Sequence, residues 1–242
     1  MSDASRHLII RFQELTIVPD WVWDRIDLEF LCLSDNKLTD IPDEIGRLQA
    51  LTALDLAHNA LRTIPDAIGD LPRLSEYLYL ADNQLTEFPL AVTRLTRLRY
   101  LGITHNHIEE LPESFGSLAS LVEFRAYNNR LTHLPESIGA LSRLRELHLS
   151  NNALTMLPAS IGRLSELRIL DLRNNHVEAL PPSIGDLRSL LYLDLRANAL
   201  TTLPETLGDL PNLQKLDLRW THMAATPPCI ARLEQRGCVV LR

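Results

Sequence analysis

Residues 144–166 read LRELHLSNNALTMLPASIGRLSE, and this 23-residue unit recurs along the chain with few changes. Its proline, Pro158, belongs to a series of ten that runs from Pro19 to Pro227 at intervals of 23 residues, with one interval of 24. From Pro42 to Pro204, every proline of the series follows an asparagine by six residues, and seven precede a glycine by four. Self-similarity at a fixed period is the signature of repeat architectures, so the chain is predicted to be a repeat protein.

Each part of the unit predicts a local structure. The L-x-L portion alternates at period two, which predicts a short strand whose leucines face the interior. The asparagine follows where the chain turns off the strand, and its amide can donate to and accept from buried backbone groups. The L-P step ends regular pairing, and P-x-x-I-G-x-L predicts one or two helical turns. One coil cannot cover its own leucines, so the coils are expected to stack with their strands in a parallel sheet.

This unit resembles the leucine-rich-repeat family, in its 23-residue intracellular type with the L-P-x-x-I-G-x-L half. That type is similar to repeats in Ras-pathway scaffold proteins, plant intracellular Ras-group-related proteins and bacterial effector proteins. The resemblance implies an α/β fold: a right-handed solenoid, or horseshoe, of about ten coils. A parallel sheet forms its concave face, and short helical or irregular segments form its convex face. Because many unrelated binders share this scaffold, the resemblance specifies the fold more closely than the function.

The whole chain, residues 1–242, is predicted to be a single leucine-rich-repeat domain. Residues 1–27 form a degenerate N-terminal capping repeat, with Gln13 in the asparagine position and with Trp21 and Trp23 expected to cover the first coil. Residues 28–212 hold eight regular repeats. Residues 213–242 form a degenerate last repeat and a C-terminal cap, in which a helix stopped by Gly237 is followed by CVVL as a last strand or lid.

Composition argues against several functional classes. A net charge of −7 disfavours binding to a phosphate backbone, and no apolar run approaches the roughly 18 residues that a membrane span needs. The N-terminus lacks an ordinary secretion signal, and three cysteines are too few for a disulfide framework or a zinc site. We expect a cytoplasmic protein, or one delivered into a host cell without an ordinary signal peptide. No nucleic-acid, membrane, small-molecule or cofactor partner is expected.

The free positions of the strands carry the candidate binding residues. All five tyrosines of the chain fall there, beside a row of small residues and Gly102 that form a shallow trough. Tyrosines around a trough are typical of a protein-binding hot spot, although strand propensity alone is the alternative reading. The predicted partner-binding residues of this region are Phe30, Tyr77, Tyr79, Tyr100 and Tyr127, with Arg125, His105 and His148 as polar surroundings. One extra residue before Asn83 either bulges the neighbouring strand or has no function.

A second candidate surface lies towards the C-terminus, where Asp171, Asp194 and Asp217 form one column and Arg173, Arg196 and Arg219 form the next. A catalytic or metal role is the alternative, but the pairing of opposite charges on one face favours compensation and a polar docking surface. The predicted partner-binding residues here are Tyr192, Asp171, Arg173, Asp194, Arg196 and Trp220. No metal site is predicted: His58, Asp82 and His105 share a column, but a polar rim is favoured over a loose metal site.

The predicted function is therefore a non-catalytic protein–protein interaction module that binds its partner on the concave sheet surface. The alternative is the substrate-recognition domain of a larger bacterial effector or signalling enzyme, such as a ubiquitin ligase or a kinase, whose catalytic part lies elsewhere. A small enzyme built on the aspartate column is the least favoured reading.

Overall fold

A computed structural model describes residues 6–223 and 225–242. Within these ranges the chain forms eleven parallel strands of three residues each, paired in sequence order in one open sheet. The strands are β1 His7–Ile9, β2 Phe30–Cys32, β3 Ala53–Asp55, β4 Tyr77–Tyr79, β5 Tyr100–Gly102, β6 Glu123–Arg125, β7 Glu146–His148, β8 Ile169–Asp171, β9 Tyr192–Asp194, β10 Lys215–Asp217 and β11 Val239–Leu241.

A short helix follows each of the first ten strands and begins directly after a proline of the 23-residue series. The first nine are five-residue 3-10 helices, and the tenth is the α-helix α1, Pro228–Gln235. The nine are Asp20–Asp24, Asp43–Arg47, Asp66–Asp70, Leu90–Arg94, Glu113–Ser117, Glu136–Ala140, Ala159–Arg163, Pro182–Asp186 and Glu205–Asp209. The predicted solenoid of about ten coils is confirmed, with β11 closing the tenth coil.

The core runs between the sheet and the row of helices. The middle residue of strands β2 to β10, such as Leu54, Leu101 or Leu147, is fully buried, as are helix residues such as Ile68 and Ile138. Complete burial of such a side chain contributes about 1.5–3 kcal/mol, whereas an isolated five-residue helix is unstable in water. Stacking of apolar side chains between coils therefore holds the short helices in place.

The asparagines connect adjacent coils through buried hydrogen bonds, as the repeat predicts. The side-chain amide of Asn106 donates to the carbonyl of Leu80 in the preceding coil, at 2.9 Å, and to that of Ile103, at 3.1 Å. Its oxygen accepts the backbone N–H of Leu85 at 2.9 Å. The same pattern recurs from Asn59 to Asn198, so these amides satisfy backbone groups that would otherwise be buried without partners.

The glycines of the helices are required by the close approach of neighbouring coils. A Cβ at Gly139 would lie 2.6 Å from the carbonyl oxygen of Ser160 and 2.7 Å from its Cβ, closer than van der Waals contact permits. Glycine at this position therefore sets how tightly successive coils stack.

The two ends of the solenoid depart from the regular coils. Trp23 is buried in the first coil, but Trp21 is 52% exposed, so the expectation that both cover the coil is wrong for Trp21. The helix Asp20–Asp24 turns Val22 and Trp23 to the core, which leaves Trp21 on its outer side. At the other end, α1 stops before Gly237 (φ +88°), and β11 pairs with β10. Residues 1–5 of the predicted N-terminal cap and Ala224 of the C-terminal cap lie outside the described residues.

The extra residue of the irregular coil is accommodated directly before β4. The backbone N–H groups of Ser75 and Glu76 both donate to the carbonyl of Thr52, while the carbonyls of Ser75 and Glu76 accept separately from the next coil. The strand itself pairs without interruption, Tyr77 with Ala53 and with Tyr100. Tyr77 and Tyr79 therefore keep the register of the sheet.

Candidate protein-binding surface

The short strands place their first and third residues on the open face of the sheet. In β4, Leu78 is fully buried, whereas Tyr77 and Tyr79 on either side of it are half-buried. Across the sheet, Tyr79 pairs with Asp55 on one side and Gly102 on the other. The strand alternation predicted from the sequence is thus what brings the aromatic residues together.

Four aromatic side chains form a continuous row across strands β2, β4 and β5, which we term the aromatic ladder: Phe30, Tyr77, Tyr79 and Tyr100. The ring centroids are 6.0 Å apart between Phe30 and Tyr77, 4.6 Å between Tyr77 and Tyr79, and 4.8 Å between Tyr79 and Tyr100. Such contacts contribute about 0.5–1.5 kcal/mol per pair beyond area burial and restrict the rings to defined positions. The ladder is therefore an ordered surface in the free protein.

A depression lies beside the aromatic ladder, as predicted, and we term it the trough. Small side chains form its floor and aromatic rings its walls, and its lining also includes charged groups. The floor consists of Ser34, Ala57, Ala81, Gly102 and Thr104, and the walls are Tyr79, Tyr100 and Tyr127. Tyr127 stands apart from the ladder, with its ring 5.5 Å from that of His105.

The tyrosine hydroxyls of this region make no hydrogen bond to the described residues. Burial raises the pKa of Tyr100 above its ordinary value of about 10, and it does the same for Tyr77 and Tyr79. Within the described part of the chain, no hydrogen bond is made by the hydroxyl of Tyr77, Tyr79, Tyr100 or Tyr127. A tyrosine hydroxyl can both donate a hydrogen bond to a ligand and accept one from it.

The predicted polar surroundings of the tyrosines are only partly in place. The Arg125 guanidinium lies 5.8 Å from the centroid of the Tyr100 ring and forms an ion pair with Glu123. His105 lies beside Tyr127, a wall of the trough, and its Nε2 is 2.8 Å from the side-chain amide of Asn128. His148 is one coil further along and contacts Glu146 at 3.1 Å, so it is separated from the aromatic ladder.

The histidine column does not form a compact ligand set. His58 and His105 flank Asp82, at 3.5 and 3.8 Å from Nδ1 to the carboxylate oxygens. Among the described residues, three other groups lie close enough to share an ion: Glu123, Glu146 and His148. Arg125 already neutralises Glu123, so this trio is better explained as an internally paired polar surface.

The aspartate and arginine columns of the C-terminal half are engaged mostly with each other. Arg196 makes a two-pronged ion pair with Asp194, with a shortest distance of 2.5 Å, and Arg219 pairs with Asp217 at 2.8 Å. Asp171 accepts the backbone N–H of Arg173 at 3.0 Å. Charge compensation is thus seen at Asp194 and Asp217, and the side chain of Arg173 makes no ion pair with any described residue.

Asp217 is the most deeply placed of these carboxylates, at 2% exposure. Burial alone would raise its pKa, but the hydrogen bonds from Arg219 and the positive charge of Arg196 outweigh burial and hold the pKa of Asp217 below its ordinary value. A carboxylate that stays ionised and fully bonded is a structural group.

The remaining predicted residues lie apart from the trough. Tyr192 is 43% exposed and its hydroxyl donates to the side-chain oxygen of Gln214 at 3.2 Å. Trp220 is 71% exposed at the C-terminal end, with the Arg219 guanidinium 5.5 Å from its ring. The predicted surface therefore divides into two regions.

Sequence reasoning included Asp82 in the histidine column but missed a second carboxylate that lines the trough, Asp55. The third strand position holds Asp55, whose Oδ1 accepts the backbone N–H of Ala57 at 3.0 Å, in the same way that Asp171 accepts from Arg173. The recurring D-x-[AR] at strand ends was a signal for this local bond. It leaves the second oxygen of Asp55 facing the trough.

Stacked coils and one parallel sheet with an open aromatic surface define a solenoid repeat protein. The chain belongs to the leucine-rich-repeat family. The family model described as Leucine rich repeat matches residues 26–85, 127–177 and 165–223, and a second model of that description matches residues 97–118. This fold is widely used for protein–protein interaction. No curated protein sequence matches the chain.

Several solved structures are similar to this chain. A leucine-rich-repeat protein of Leptospira interrogans is 37% identical, with a TM-score of 0.89 over 96% of this chain and 59% of its own. The ectodomain of an Arabidopsis thaliana membrane receptor kinase, in complex with Casparian strip integrity factor 2, is 31% identical, with a TM-score of 0.80 over 90% of this chain and 27% of its own. The plant peptide hormone receptor RGFR1, in complex with RGF2, is 31% identical, with a TM-score of 0.77 over 98% and 43%.

This chain therefore spans less than two thirds of the length of these relatives. Among the described residues, no helix has the length and apolar character needed to cross a membrane.

Proposed function

We propose that this chain binds a protein partner on the concave face of its sheet, with the aromatic ladder and the trough at the centre of the contact. The observation that carries the proposal is the row of half-buried tyrosines whose hydroxyls have no partner within the described residues. Tyrosine is enriched among interface residues that dominate binding energy, where truncation to alanine typically costs about 2 kcal/mol or more.

The order of the ladder supports this role. The ring contacts among Tyr77, Tyr79 and Tyr100 fix the side chains before a partner arrives. A side chain that is already ordered loses less conformational entropy on binding, by about 0.5–1.5 kcal/mol each. The plant receptors described above are in complex with their ligands, which agrees with recognition by this family.

Binding without catalysis is the second part of the proposal. The carboxylates that offered the best case for chemistry, Asp194 and Asp217, are held by arginines and by backbone N–H groups. Groups bonded in this way are poorly placed to exchange protons with a substrate. The same role fits a chain that acts alone and one that serves as the recognition part of a larger effector or signalling enzyme.

A reducing, cytoplasmic location completes the proposal, either in the source cell or in a host cell. It is supported by Cys32, Cys229 and Cys238, which are buried free thiols. Burial raises the pKa of each thiol and so lowers its reactivity.

The proposal is tested by affinity capture from a lysate of the source cell or of a target cell. Three baits are compared: the unmodified protein, the triple variant Tyr79→Ala/Tyr100→Ala/Tyr127→Ala, and Met156→Ala, which truncates a 63% exposed side chain outside the sheet. Thermal melting establishes that the baits are folded to the same extent.

A partner that the unmodified protein and Met156→Ala retain, and that the triple variant loses by tenfold or more, is the expected result. Equal recovery by all three baits would move the contact to another surface and overturn the proposal. A further bait, Tyr192→Ala, tests the C-terminal half. If this variant loses the partner and the triple variant keeps it, the contact lies on the C-terminal half of the sheet.

A further inference from the structure

The trough contains two carboxylates, those of Asp55 and Asp82, with which no arginine or lysine of the described residues forms an ion pair. Asp55 forms no ion pair with them, and its Oδ2 has only the thiol of Cys32 at 3.5 Å. Asp82 faces His58 and His105 at 3.5 and 3.8 Å, longer than a normal charged hydrogen bond.

Two arginines also line the trough, but each is already paired. Arg11 donates to Asp35 at 2.7 and 3.0 Å, and Arg125 is paired with Glu123. The surface that remains open to a ligand is therefore negative, although the formal charges of its lining cancel.

The floor of the trough offers a hydroxyl group that is open to a ligand. Thr104 is 95% buried, and its hydroxyl makes no hydrogen bond to any described residue. The hydroxyl oxygen can therefore accept a hydrogen bond from a ligand group that reaches the floor of the trough. Ala57, Ala81 and Gly102 leave the space above this floor open.

The walls of the trough have faces suited to a flat cation. The Arg125 guanidinium already lies 5.8 Å from the centroid of the Tyr100 ring, within the distance at which cations are attracted to aromatic faces. The rings of Tyr79 and Tyr100 meet at 74°, so together they present both a face and an edge.

We infer that the trough receives the side chain of an arginine from the partner protein. The guanidinium stacks against the tyrosine walls and donates to Asp55 and to Thr104, with Asp82 at the rim. Arginine fits better than lysine because its planar group can stack and donate in several directions at once, whereas an ammonium is a compact point charge. This inference rests on the proposed function, since it names the group by which the partner is recognised.

The test uses the isolated arginine unit as a probe. Nα-acetyl-arginine N-methylamide is titrated into the full chain, and the methyl NMR signals of Ala57, Ala81 and Thr104 are followed. The citrulline analogue has nearly the same shape without the charge, and the lysine analogue has the charge without the plane. The variants Asp55→Asn and Asp82→Asn each remove one carboxylate charge from the trough. The control is Asp40→Asn, which removes the charge of an exposed carboxylate that has no ion pair in the described structure.

The expected result is saturable shifts of the three methyl signals with the arginine probe, in the millimolar range, and at least tenfold weaker binding of the citrulline probe. Asp55→Asn weakens binding of the arginine probe by about tenfold, and Asp82→Asn weakens it by less. Asp40→Asn leaves binding of this probe unchanged. Unchanged methyl spectra of the variants without probe show that the trough is intact.

Equal binding of the arginine and citrulline probes, indifference to Asp55→Asn, or no saturable shifts would overturn the inference. Equal binding of the lysine probe would overturn the choice of arginine. The proposed function is judged separately: if the triple tyrosine variant still loses a protein partner, only the arginine inference fails. If that variant retains every partner as well, the proposed function fails with it.

Discussion

The Tyr100 ring lies over Gly102, so close that a Cβ at Gly102 would be 3.1 Å from its Cε1 and 3.3 Å from Cδ1 of Tyr79. Gly102 sits in the extended strand β5, and what the position requires is the lack of a side chain. The missing side chain allows both rings to lie against the sheet and forms the floor between them. Gly102 thus positions the two walls of the trough.

Replacing Gly102 by alanine is expected to displace these rings and to weaken partner binding several-fold, with little change in melting temperature. Affinity of the captured partner measures the effect. Gly46→Ala is the control, because it introduces a similarly tight contact, 3.2 Å from Ala67 Cβ, outside the sheet. Equal loss of affinity in both variants would show that Gly102 has no specific role in positioning the rings.

Asn106→Ala is expected to lower the free energy of unfolding by about 2–4 kcal/mol. The change removes a buried amide, leaves the buried N–H of Leu85 without its partner, and leaves the carbonyls of Leu80 and Ile103 with only the bonds from Asn83 and Asn129. Urea unfolding measures the loss. Gln84→Ala, which truncates an exposed amide with no side-chain hydrogen bond to the described residues, is expected to cost less than about 0.5 kcal/mol. A similar cost for both variants would contradict the role of the asparagine ladder.

Ala197→Asn is expected to stabilise the protein by about 0.5–1 kcal/mol. Ala197 has a φ of +51°, a left-handed conformation that asparagine tolerates better and that Asn128, Asn151 and Asn174 adopt in equivalent coils. The melting temperature measures the gain. Ala199→Asn, two residues away and without a positive φ, serves as the control and should give no gain; stabilisation by both changes would rule out relief of strain as the cause.

Asp217 is expected to contribute to acid unfolding. Its folded-state pKa is depressed, so the stability it provides is present above its ordinary pKa of about 3.9 and is lost as the pH falls through the lower folded value. Asp217→Asn should therefore lower stability at pH 7 and flatten the fall in stability below about pH 4. Chemical unfolding at several pH values measures this. An unchanged slope, or the same flattening in Asp40→Asn, would contradict the assignment.

The periodic features of the sequence predicted most of the fold. The intervals of proline, asparagine and glycine fixed the number of coils, because each residue has one structural requirement: Pro158 starts a helix, Asn106 bonds three backbone segments, and Gly139 permits close stacking. The repeat had no comparable rule for its ends. Trp21 and Trp23 look alike in the sequence, and only the rotation of the first helix decides which one is buried.

The sequence predicted which tyrosines share the open face of the sheet, but it did not predict which charged groups near them are paired. Strand alternation placed Tyr77, Tyr79 and Tyr100 on one face, as found. It does not say which charges are paired across coils. Arg125 forms an ion pair with Glu123, whereas Asp55 has no counter-ion among the described residues. These pairings depend on side-chain conformations that the repeat does not determine.

The most direct test of concave-face recognition is site-specific photo-cross-linking. The photoreactive residue p-benzoylphenylalanine replaces Tyr127, at the wall of the trough, in one protein and Met156, outside the sheet, in another. Each protein is irradiated with the captured partner. Cross-linking from position 127 and none from position 156 is the predicted result. Cross-linking from position 156 alone would contradict concave-face recognition.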